Sequence, residues 1–286
     1  MPLIGPTPPP ELQVMSYNIR RRMTNLDPVL ADRWPHRQPL LQQLLEDERP
    51  SILGVQEALP AQADFVRDAL GERYHSVGHG REKNGRGEGC PIFYDRDRVR
   101  LIDFTQTMLS DTPDVQGSST WGNRTPRVIV DATFADVATG VRFHFINTHF
   151  DNRSRTSRLR SADRLRDVAL ASGLPTIITG DFNTDAHSEV HTELLGGGRL
   201  VDAWDVAHTR ITEVWGTFLD YRPPQHNHKR IDWILATPDV TVERVGINTT
   251  RYDKGWPSDH AAVQAVVRLS RRVDDGCPAA ASRTPS

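Results

Sequence analysis

The sequence VRFHFINTHF (141–150) is followed by a helix-spaced segment (152–171) and by TIITGDFN (176–183), and this stretch decides the fold. The first and last pieces are rich in β-branched and aromatic residues, which predicts strands. Between them, apolar residues recur at helical spacing: Leu159, Ala162, Leu165 and Ala169. Two strands joined by a helix form a unit that packs a helix against a sheet. The stretch therefore predicts an α/β fold.

The rest of the chain continues this pattern in both directions. Two further helices are predicted, over 38–48 and 60–70. Strands are predicted for the remaining short apolar runs: 12–18, 51–57, 91–95, 99–104, 127–134, 230–236, 240–247 and 261–269. Some neighbouring strands are separated only by turn residues, as in hairpins, and others by helices. This mixture predicts two sheets packed face to face with helices outside them.

Composition predicts one globular domain between two tails. The 286 residues are 37% hydrophobic and 25% charged, which is typical of a folded protein. We expect a Pro-rich extension over 1–11, a single domain over 12–269 and a disordered tail over 270–286. The start lacks the basic and apolar regions of a secretory signal, and no apolar run is long enough to span a bilayer. With two widely separated cysteines, this indicates a reduced cytoplasmic protein.

The charge pattern leaves the choice of substrate open. A net charge of −2 excludes a protein that binds nucleic acid through bulk charge alone. The chain has 32 arginines and 3 lysines, but the codon usage of a GC-rich genome explains that bias. Six arginines lie in the helix-spaced segment: Arg153, Arg155, Arg158, Arg160, Arg164 and Arg166. They indicate either a solvated helix face, which we favour, or a rim that binds phosphates.

Polar residues cluster where predicted strands end, which is where α/β enzymes usually assemble their sites. They belong to five segments, which are SYN (16–18), QE (56–57), NTHFDN (147–152), GDFN (180–183) and the pair RID (230–232) and SDH (258–260). Carboxylates and amides are the ligands that Mg²⁺ prefers, and there is no thiolate cluster for a softer metal. Histidines beside a bound metal suit the hydrolysis of a phosphoester. The pattern therefore indicates metal-assisted phosphoester chemistry.

One other pair of histidines has the spacing of metal ligands. His187 and His191 are four residues apart and could share one face of a helix. They follow Thr184 and Asp185, which have the character of a helix start. We therefore expect both histidines on a solvated helix face and not at a metal.

The five segments, taken in order, resemble the endonuclease/exonuclease/phosphatase superfamily. The resemblance runs from MSYNIR (15–20) to SDHAAV (258–263). LSDTPDVQGSSTWGNRTPRV (109–128) followed by NTHFDN is similar to an uncharacterised bacterial branch, although Asn123, Arg124 and Asn152 depart from its pattern. The resemblance implies a four-layer αββα sandwich of two mixed sheets, with the site at one end between them.

The resemblance also implies a metal site. Glu57 corresponds to the principal Mg²⁺ ligand, and Mn²⁺ is an alternative metal. Asn18 corresponds to a weaker ligand or to a residue that orients Glu57. Asp259 corresponds to a second carboxylate on the metal side.

The remaining motif residues correspond to groups that act on the phosphate and the water. Asp181 corresponds to the group that positions and deprotonates the attacking water, with Asn183 as its partner on the phosphate. His260 and His149 correspond to phosphate contacts, and Asp232 to the carboxylate that orients His260. Substrate contacts or supporting roles are expected for three further residues: Arg127, Asp151 and Asn152.

These expectations define a Mg²⁺-dependent phosphoester hydrolase in which water attacks phosphorus in line. Its substrate is either a nucleic acid or a small phosphoester, including a sugar, inositol or lipid head-group phosphate. The alternative from another class is a catalytically inactive phosphate-binding module of the same fold. No obligate protein partner is indicated.

Overall fold

The computed structural model describes residues 1–23, 28–226, 228–252 and 255–270. The helices are α1 (Trp34–Glu48), α2 (Pro60–Leu70), α3 (Arg155–Ala171), α4 (Glu189–Leu195) and α5 (Ala203–Val206). The strands are β1 (Leu12–Asn18), β2 (Ile52–Gln56), β3 (Tyr74–Val77), β4 (Ile92–Asp95), β5 (Val99–Met108), β6 (Val128–Asp136), β7 (Arg142–His149), β8 (Thr176–Asp181), β9 (Val201–Asp202), β10 (Thr209–Arg210), β11 (Asp232–Ala236), β12 (Val240–Asn248) and β13 (Ala262–Leu269). Apart from Ser270, the predicted disordered tail lies outside the described residues.

The strands form two mixed sheets. The first has the order β10-β12-β13-β1-β2-β4-β3, and the second has the order β5-β6-β7-β8-β11-β9. The pairs β1/β2 and β7/β8 are parallel, whereas most other pairs are antiparallel. Parallel strands need a crossover, and α1 and α3 supply it in the two sheets. The α/β fold with two mixed sheets is therefore confirmed.

Three apolar clusters separate four layers. One lies between the sheets and contains Leu12, Ile52 and Phe145. A second packs the first sheet against α1 and α2, and a third packs the second sheet against α3 and α4. Each sheet therefore buries both faces, which explains why its strands are continuous apolar runs. The four-layer sandwich predicted from the sequence is confirmed.

Helix α3 begins three residues later than predicted, because a polar turn precedes it. The Asp151 carboxylate accepts the backbone N–H groups of Arg153 and Ser154. The Ser154 hydroxyl then accepts the N–H of Ser157 and caps the helix. None of the described helices has both the length and the apolar character needed to cross a membrane.

The Pro-rich N-terminal segment is anchored on a buried carboxylate. Glu48, at the end of α1, is buried and accepts the backbone N–H groups of Leu3, Ile4 and Gly5. The side-chain amides of Gln13 and Asn248 also donate to it. One charged group therefore holds the N-terminal segment, β1 and β12 together at the end of the sandwich where β1 begins.

Replacement of Glu48 by alanine should destabilise the fold, because five hydrogen-bond donors, three of them buried, lose their acceptor. We expect the free energy of unfolding to fall by about 3 kcal/mol. For a domain of this size this corresponds to a melting temperature roughly 6–12 °C lower. Thermal and urea unfolding of Glu48→Ala measure the change, with the exposed Glu46→Ala on the same helix as control. Equal stability of the two variants would contradict the anchoring role.

Candidate functional site

Strand register brings the polar strand ends together. Across the parallel pair β7/β8, His149 is opposite Asp181, and across the antiparallel pair β8/β11, Asp181 is opposite Asp232. In the other sheet Asn18 is opposite Gln56, so that Glu57 follows at the same edge. Strand pairing thus joins SYN to QE in the first sheet and NTHFDN to GDFN and RID in the second. The packing of the two sheets brings both groups together with His260, which lies just before β13.

A buried asparagine bridges the two sheets directly beneath this edge. The Asn147 amide nitrogen, on β7, donates to the carbonyl oxygens of Val55 (2.8 Å), Cys90 (3.0 Å) and Pro91 (3.1 Å). Its oxygen accepts the Gln56 amide at 2.7 Å. Because Asn147 is fully buried, no water replaces these bonds if they are lost.

The close approach of the sheets at this bridge requires a glycine. A Cβ atom on Gly54 of β2 would lie 2.7 Å from the Asn147 side-chain oxygen and 2.1 Å from the Thr179 hydroxyl. Thr179 itself donates to the same Asn147 oxygen at 3.1 Å. Gly54 therefore makes room for the polar bridge.

Glu57 is a partly exposed carboxylate, with 14% of its side chain accessible, and hydrogen bonds fix its orientation. It follows β2 with a φ of 63°, a left-handed conformation that turns its side chain out of the strand. Its two oxygens accept the Asn18 amide at 3.1 Å and the backbone N–H of Arg21 at 3.0 Å. Burial raises the pKa of Glu57, but these hydrogen bonds and the nearby positive charges outweigh it and lower the pKa below its usual value. Glu57 is therefore ionised.

Asn18 connects the carboxylates of the site. Its amide nitrogen also donates to Asp181 Oδ2 at 2.9 Å, and its oxygen accepts the backbone N–H of Arg20 at 2.9 Å. This is the arrangement of a residue that orients Glu57, the second of the two roles expected for it.

Asp181 lies at the centre of the site. Its Oδ2 is 3.4 Å from His149 Nε2 and 3.8 Å from His260 Nε2. Its Oδ1 accepts the backbone N–H of Asn183, which has a φ of 52°, and the Asn183 amide nitrogen is 2.8 Å from His149 Nε2. Burial and the charge of Asp232 raise the pKa of Asp181 to about 7.

The two histidines are held in opposite charge states. His260 Nδ1 is 2.9 Å from Asp232 Oδ2, and both side chains are buried. Burial lowers the pKa of His260, but Asp232 and the other carboxylates outweigh it and raise the pKa well above the usual value. Burial, together with Arg127, Arg81 and His260, lowers the pKa of His149 well below that value. At neutral pH His260 is a cation and His149 is neutral.

Asp259 lies beside Arg20. Its Oδ2 is 3.6 Å from Arg20 Nε, and its Oδ1 accepts the Ser258 hydroxyl at 3.2 Å. Burial raises the pKa of Asp259, and this effect outweighs the charges of His260 and Arg20.

The donor set fits a divalent cation. Ligand atoms of Glu57, His149 and Asp181 lie within 4.8 Å of one another, and so do those of Asp181, Asp232 and His260. Asp259 belongs to neither group. The oxygen donors of Glu57 and Asp181 are the type that Mg²⁺ and Mn²⁺ prefer, and a cation there would relieve the repulsion between the buried carboxylates.

Of these residues, Glu57, His149, Asp181, Asp259 and His260 line one cleft of about 570 Å³. Charged groups of both signs are paired along it, since Arg20 lies 2.9 Å from Asp32 and Arg81 lies 2.8 Å from Glu88. Of the expected substrate contacts, Arg127 and Asn152 line the cleft. Asp151 is buried at the turn before α3, with Oδ2 3.6 Å from Arg127 Nε. Asp151 therefore has a supporting position.

Several cleft residues carry no recognisable motif: Asp32, Arg81, Phe218, Asp220 and Tyr221. Arg20 pairs with Asp32 through two hydrogen bonds of 3.2 and 2.9 Å, and the Tyr221 hydroxyl donates to Asp32 at 2.7 Å. These loop residues are distant in sequence, so no spacing rule could have grouped them.

Two expectations about the chain outside the site have mixed outcomes. His187 is exposed, but the expectation for His191 is wrong, because its ring is buried and lies 2.9 Å from Asp202.

Four of the six clustered arginines contact the chain itself: Arg155 contacts Glu189, Arg158 the Asp151 carbonyl, Arg160 Asp111 and Arg166 Glu193. These contacts favour the solvated face over the phosphate-binding rim.

Comparison with known proteins identifies the family. The profile described as "Endonuclease/Exonuclease/phosphatase family" matches residues 15–260. The chain belongs to this family. Members of the family are hydrolases that act on phosphoesters, which confirms the resemblance drawn from the motifs.

Solved structures of family members are similar over nearly the whole chain. An endonuclease/exonuclease/phosphatase family protein from Bacteroides thetaiotaomicron is 30% identical, with a TM-score of 0.85 over 91% of this chain and 96% of that one. A mannosyl-6-phosphatase from Bacteroides thetaiotaomicron VPI-5482 is also 30% identical, with a TM-score of 0.83 over 90% of this chain and 100% of that one.

Curated relatives are longer than this chain. Nocturnin from Drosophila melanogaster is 23% identical over 289 residues, which cover 85% of this chain and 43% of that protein. Human nocturnin is 23% identical over 212 residues, which cover 65% of this chain and 46% of that protein. The chain therefore spans less than half of the length of these nocturnins.

The sheet-bridging role of Asn147 makes a stability prediction. Asn147→Asp keeps the size of the side chain but turns an oxygen toward three carbonyl oxygens in place of the amide donor. We expect the free energy of unfolding to fall by about 3 kcal/mol or more. Urea unfolding measures it, with Asn152→Asp, the same change at an exposed position, as control. A loss for Asn147→Asp no larger than for the control would show that the bridge is dispensable.

Proposed function

We propose that the chain is a divalent-metal-dependent phosphatase that acts on a small phosphorylated compound. The observation that carries the proposal is the convergence of Glu57, Asp181, Asn183 and His260 in one cleft, with Asp232 buried behind His260. A module that only binds phosphate has no need of a buried carboxylate at its centre, so this set favours an enzyme over the inactive alternative.

The form of the site favours a small substrate over a nucleic acid. Basic groups lie inside a cleft of about 570 Å³, which is in the size range of small-ligand sites. Most arginines of α3, which a nucleic acid would use outside the cleft, already contact the chain itself. The similarity to a mannosyl-6-phosphatase supports a sugar phosphate as the first substrate to test.

In the proposed reaction, Asp181 orients the attacking water and accepts its proton. Its position between the two histidines puts it next to the groups assigned to the phosphate. The water oxygen attacks phosphorus as the bond to the leaving oxygen breaks, and the leaving oxygen takes a proton from solvent. Inorganic phosphate and an alcohol are released, and Asp181 returns its proton to solvent. The Asn18 hydrogen bond fixes the Asp181 carboxylate for this role.

Three side chains bind the phosphoryl oxygens in this proposal. His260, kept cationic by Asp232, donates through Nε2 to an oxygen on which negative charge develops. Asn183 and neutral His149 contact the other oxygens. Donors that are already oriented in a buried site cost little reorganisation during the reaction.

Glu57 is the proposed principal metal ligand, with Asp259 and Asn18 beside it. A bound Mg²⁺ or Mn²⁺ would act as a Lewis acid that offsets negative charge on the phosphoryl group. Because Asn18 and Arg21 hold Glu57 ionised, its carboxylate is available without further proton loss.

The proposed function predicts a ranking of substrates. With Mg²⁺ present, kcat/KM should be highest for a phosphomonoester such as mannose 6-phosphate. It should be lower for bis(nitrophenyl) phosphate, single-stranded DNA and RNA. EDTA should abolish turnover, and Mg²⁺ or Mn²⁺ should restore it, because Glu57 and its neighbours then hold the metal again.

The same assay separates the alternatives. Faster cleavage of DNA or RNA than of any monoester would replace the phosphatase by a nuclease. Undiminished activity in EDTA would remove the metal from the proposal. Glu57→Gln should need a higher Mg²⁺ concentration for half-maximal activity, whereas the exposed Glu46→Gln should match the wild type.

The His260–Asp232 pair makes a separate kinetic prediction. His260→Ala should lower kcat by roughly 10²–10⁴-fold, since it removes a donor to the transition state. Asp232→Asn should also lower kcat, because an amide no longer holds His260 as a cation. The exposed His75→Ala is the control. If kcat of His260→Ala stays within about threefold of the control, the assigned role is excluded.

A further inference from the structure

Arg127 is a buried cation with unused hydrogen-bond donors. Its residue is only 4% exposed, yet it lines the cleft. Its Nε and Nη1 atoms are buried without a hydrogen-bond partner. The paired carboxylate, Asp151, remains 3.6 Å from Nε. A buried cation that lacks hydrogen bonds is costly, and a negative charge in the cleft beside it would offset part of that cost.

Arg81 adds a second guanidinium to the lining of the cleft. Its Nη2 is 2.8 Å from a Glu88 carboxylate oxygen, while its Nε is buried without a partner. Burial and the charge of Arg81 both lower the pKa of Arg127. An anion between or beside the two cations would offset the repulsion between them.

The reacting phosphoryl group does not need these arginines. In the proposed reaction its oxygens already have His149, His260 and Asn183 as donors, besides the metal. Arg81 and Arg127 carry additional donors in the fork geometry that suits phosphate and carboxylate groups.

We propose that Arg81 and Arg127 bind a second anionic group of the substrate, a phosphate or carboxylate carried on the same small molecule as the phosphoester that is hydrolysed. This inference rests on the proposed function and names its substrate class: a compact phosphoester with two anionic groups. Both arginines lie inside the cleft, so the second anion lies within the span of one small molecule from the first.

A nucleic acid is the alternative source of the second anion, because the phosphate of a neighbouring nucleotide has the same chemistry. The arginines of α3 that would bind a longer polyanion outside the cleft are engaged with Glu189, Glu193 and other groups of the chain. We therefore assign the second anion to a small molecule, and the experiment includes a dinucleotide for comparison.

The test compares glucose 1,6-bisphosphate with glucose 6-phosphate and with a dinucleotide carrying a terminal phosphate. For the wild type, kcat/KM should be at least about tenfold higher for the bisphosphate, chiefly through a lower KM. Arg81→Gln and Arg127→Gln should each remove most of that preference, measured as the ratio of kcat/KM for the bisphosphate to kcat/KM for glucose 6-phosphate in the same variant.

A matched control is available on β7. Arg142 is exposed at the start of the strand, about 23 Å from His149 at its other end, since a strand rises roughly 3.3 Å per residue. Arg142→Gln should therefore retain the wild-type preference. Because Arg127 is buried and its variant risks misfolding, Arg81→Gln tests the proposal on its own.

Calorimetric binding of both glucose phosphates in EDTA gives a readout without turnover. Tighter binding of the bisphosphate by wild type, lost in Arg81→Gln, supports the second site. Equal loss of activity on both substrates would assign the arginines to the reacting phosphate. That result would overturn this inference but not the proposed function. A preference for the dinucleotide would also overturn it. If the wild type hydrolyses no phosphoester, the proposed function itself fails.

Discussion

The bridge that Asn147 makes between the two sheets is the constraint on which the site depends. Catalytic candidates come from both sheets, because Asn18 and Glu57 lie on one and His149, Asp181 and Asp232 on the other. Apolar packing between the sheets is non-directional and does not fix how one sheet slides over the other. The hydrogen bonds of Asn147 to Val55 and Gln56 do fix it, and they lie next to Glu57. The relative positions of the site residues from the two sheets therefore depend on the Asn147 bridge.

Charges of both signs lie close together in the cleft. Asp232 raises the pKa of His260, while burial and the nearby cations lower the pKa of His149. Pairs of similar groups with pKa values driven apart are typical of acid–base sites. Two of the cations beside His149, Arg81 and Arg127, are also the proposed anion contacts, so the proposal gives substrate selection and catalysis a common electrostatic origin.

The sequence was sufficient to predict the layers, and most of the motif residues that it singles out lie close together in the structure. Apolar runs such as 12–18 and 176–183 indicate strands that are buried on both faces. Motif residues at the ends of neighbouring strands lie close together because the register places them opposite one another. Very short elements such as β9 and β10 carry too little pattern to be recognised. The start of α3 was misplaced because the preceding turn is held by side-chain caps, which apolar spacing does not reveal. The burial of His191 and the position of Arg81 could not be predicted, because their partners, Asp202 and Glu88, come close to them only in the folded chain.

The proposed positions of the metal and the phosphate are tested most directly by anomalous diffraction from crystals grown with Mn²⁺ and inorganic phosphate. The account predicts a manganese peak in bonding contact with the Glu57 carboxylate. It predicts the phosphorus between His149, His260 and Asn183, with its oxygens in hydrogen-bond contact with their nitrogens. Manganese bound away from Glu57, or phosphate bound outside the cleft while these residues remain unliganded, would contradict it.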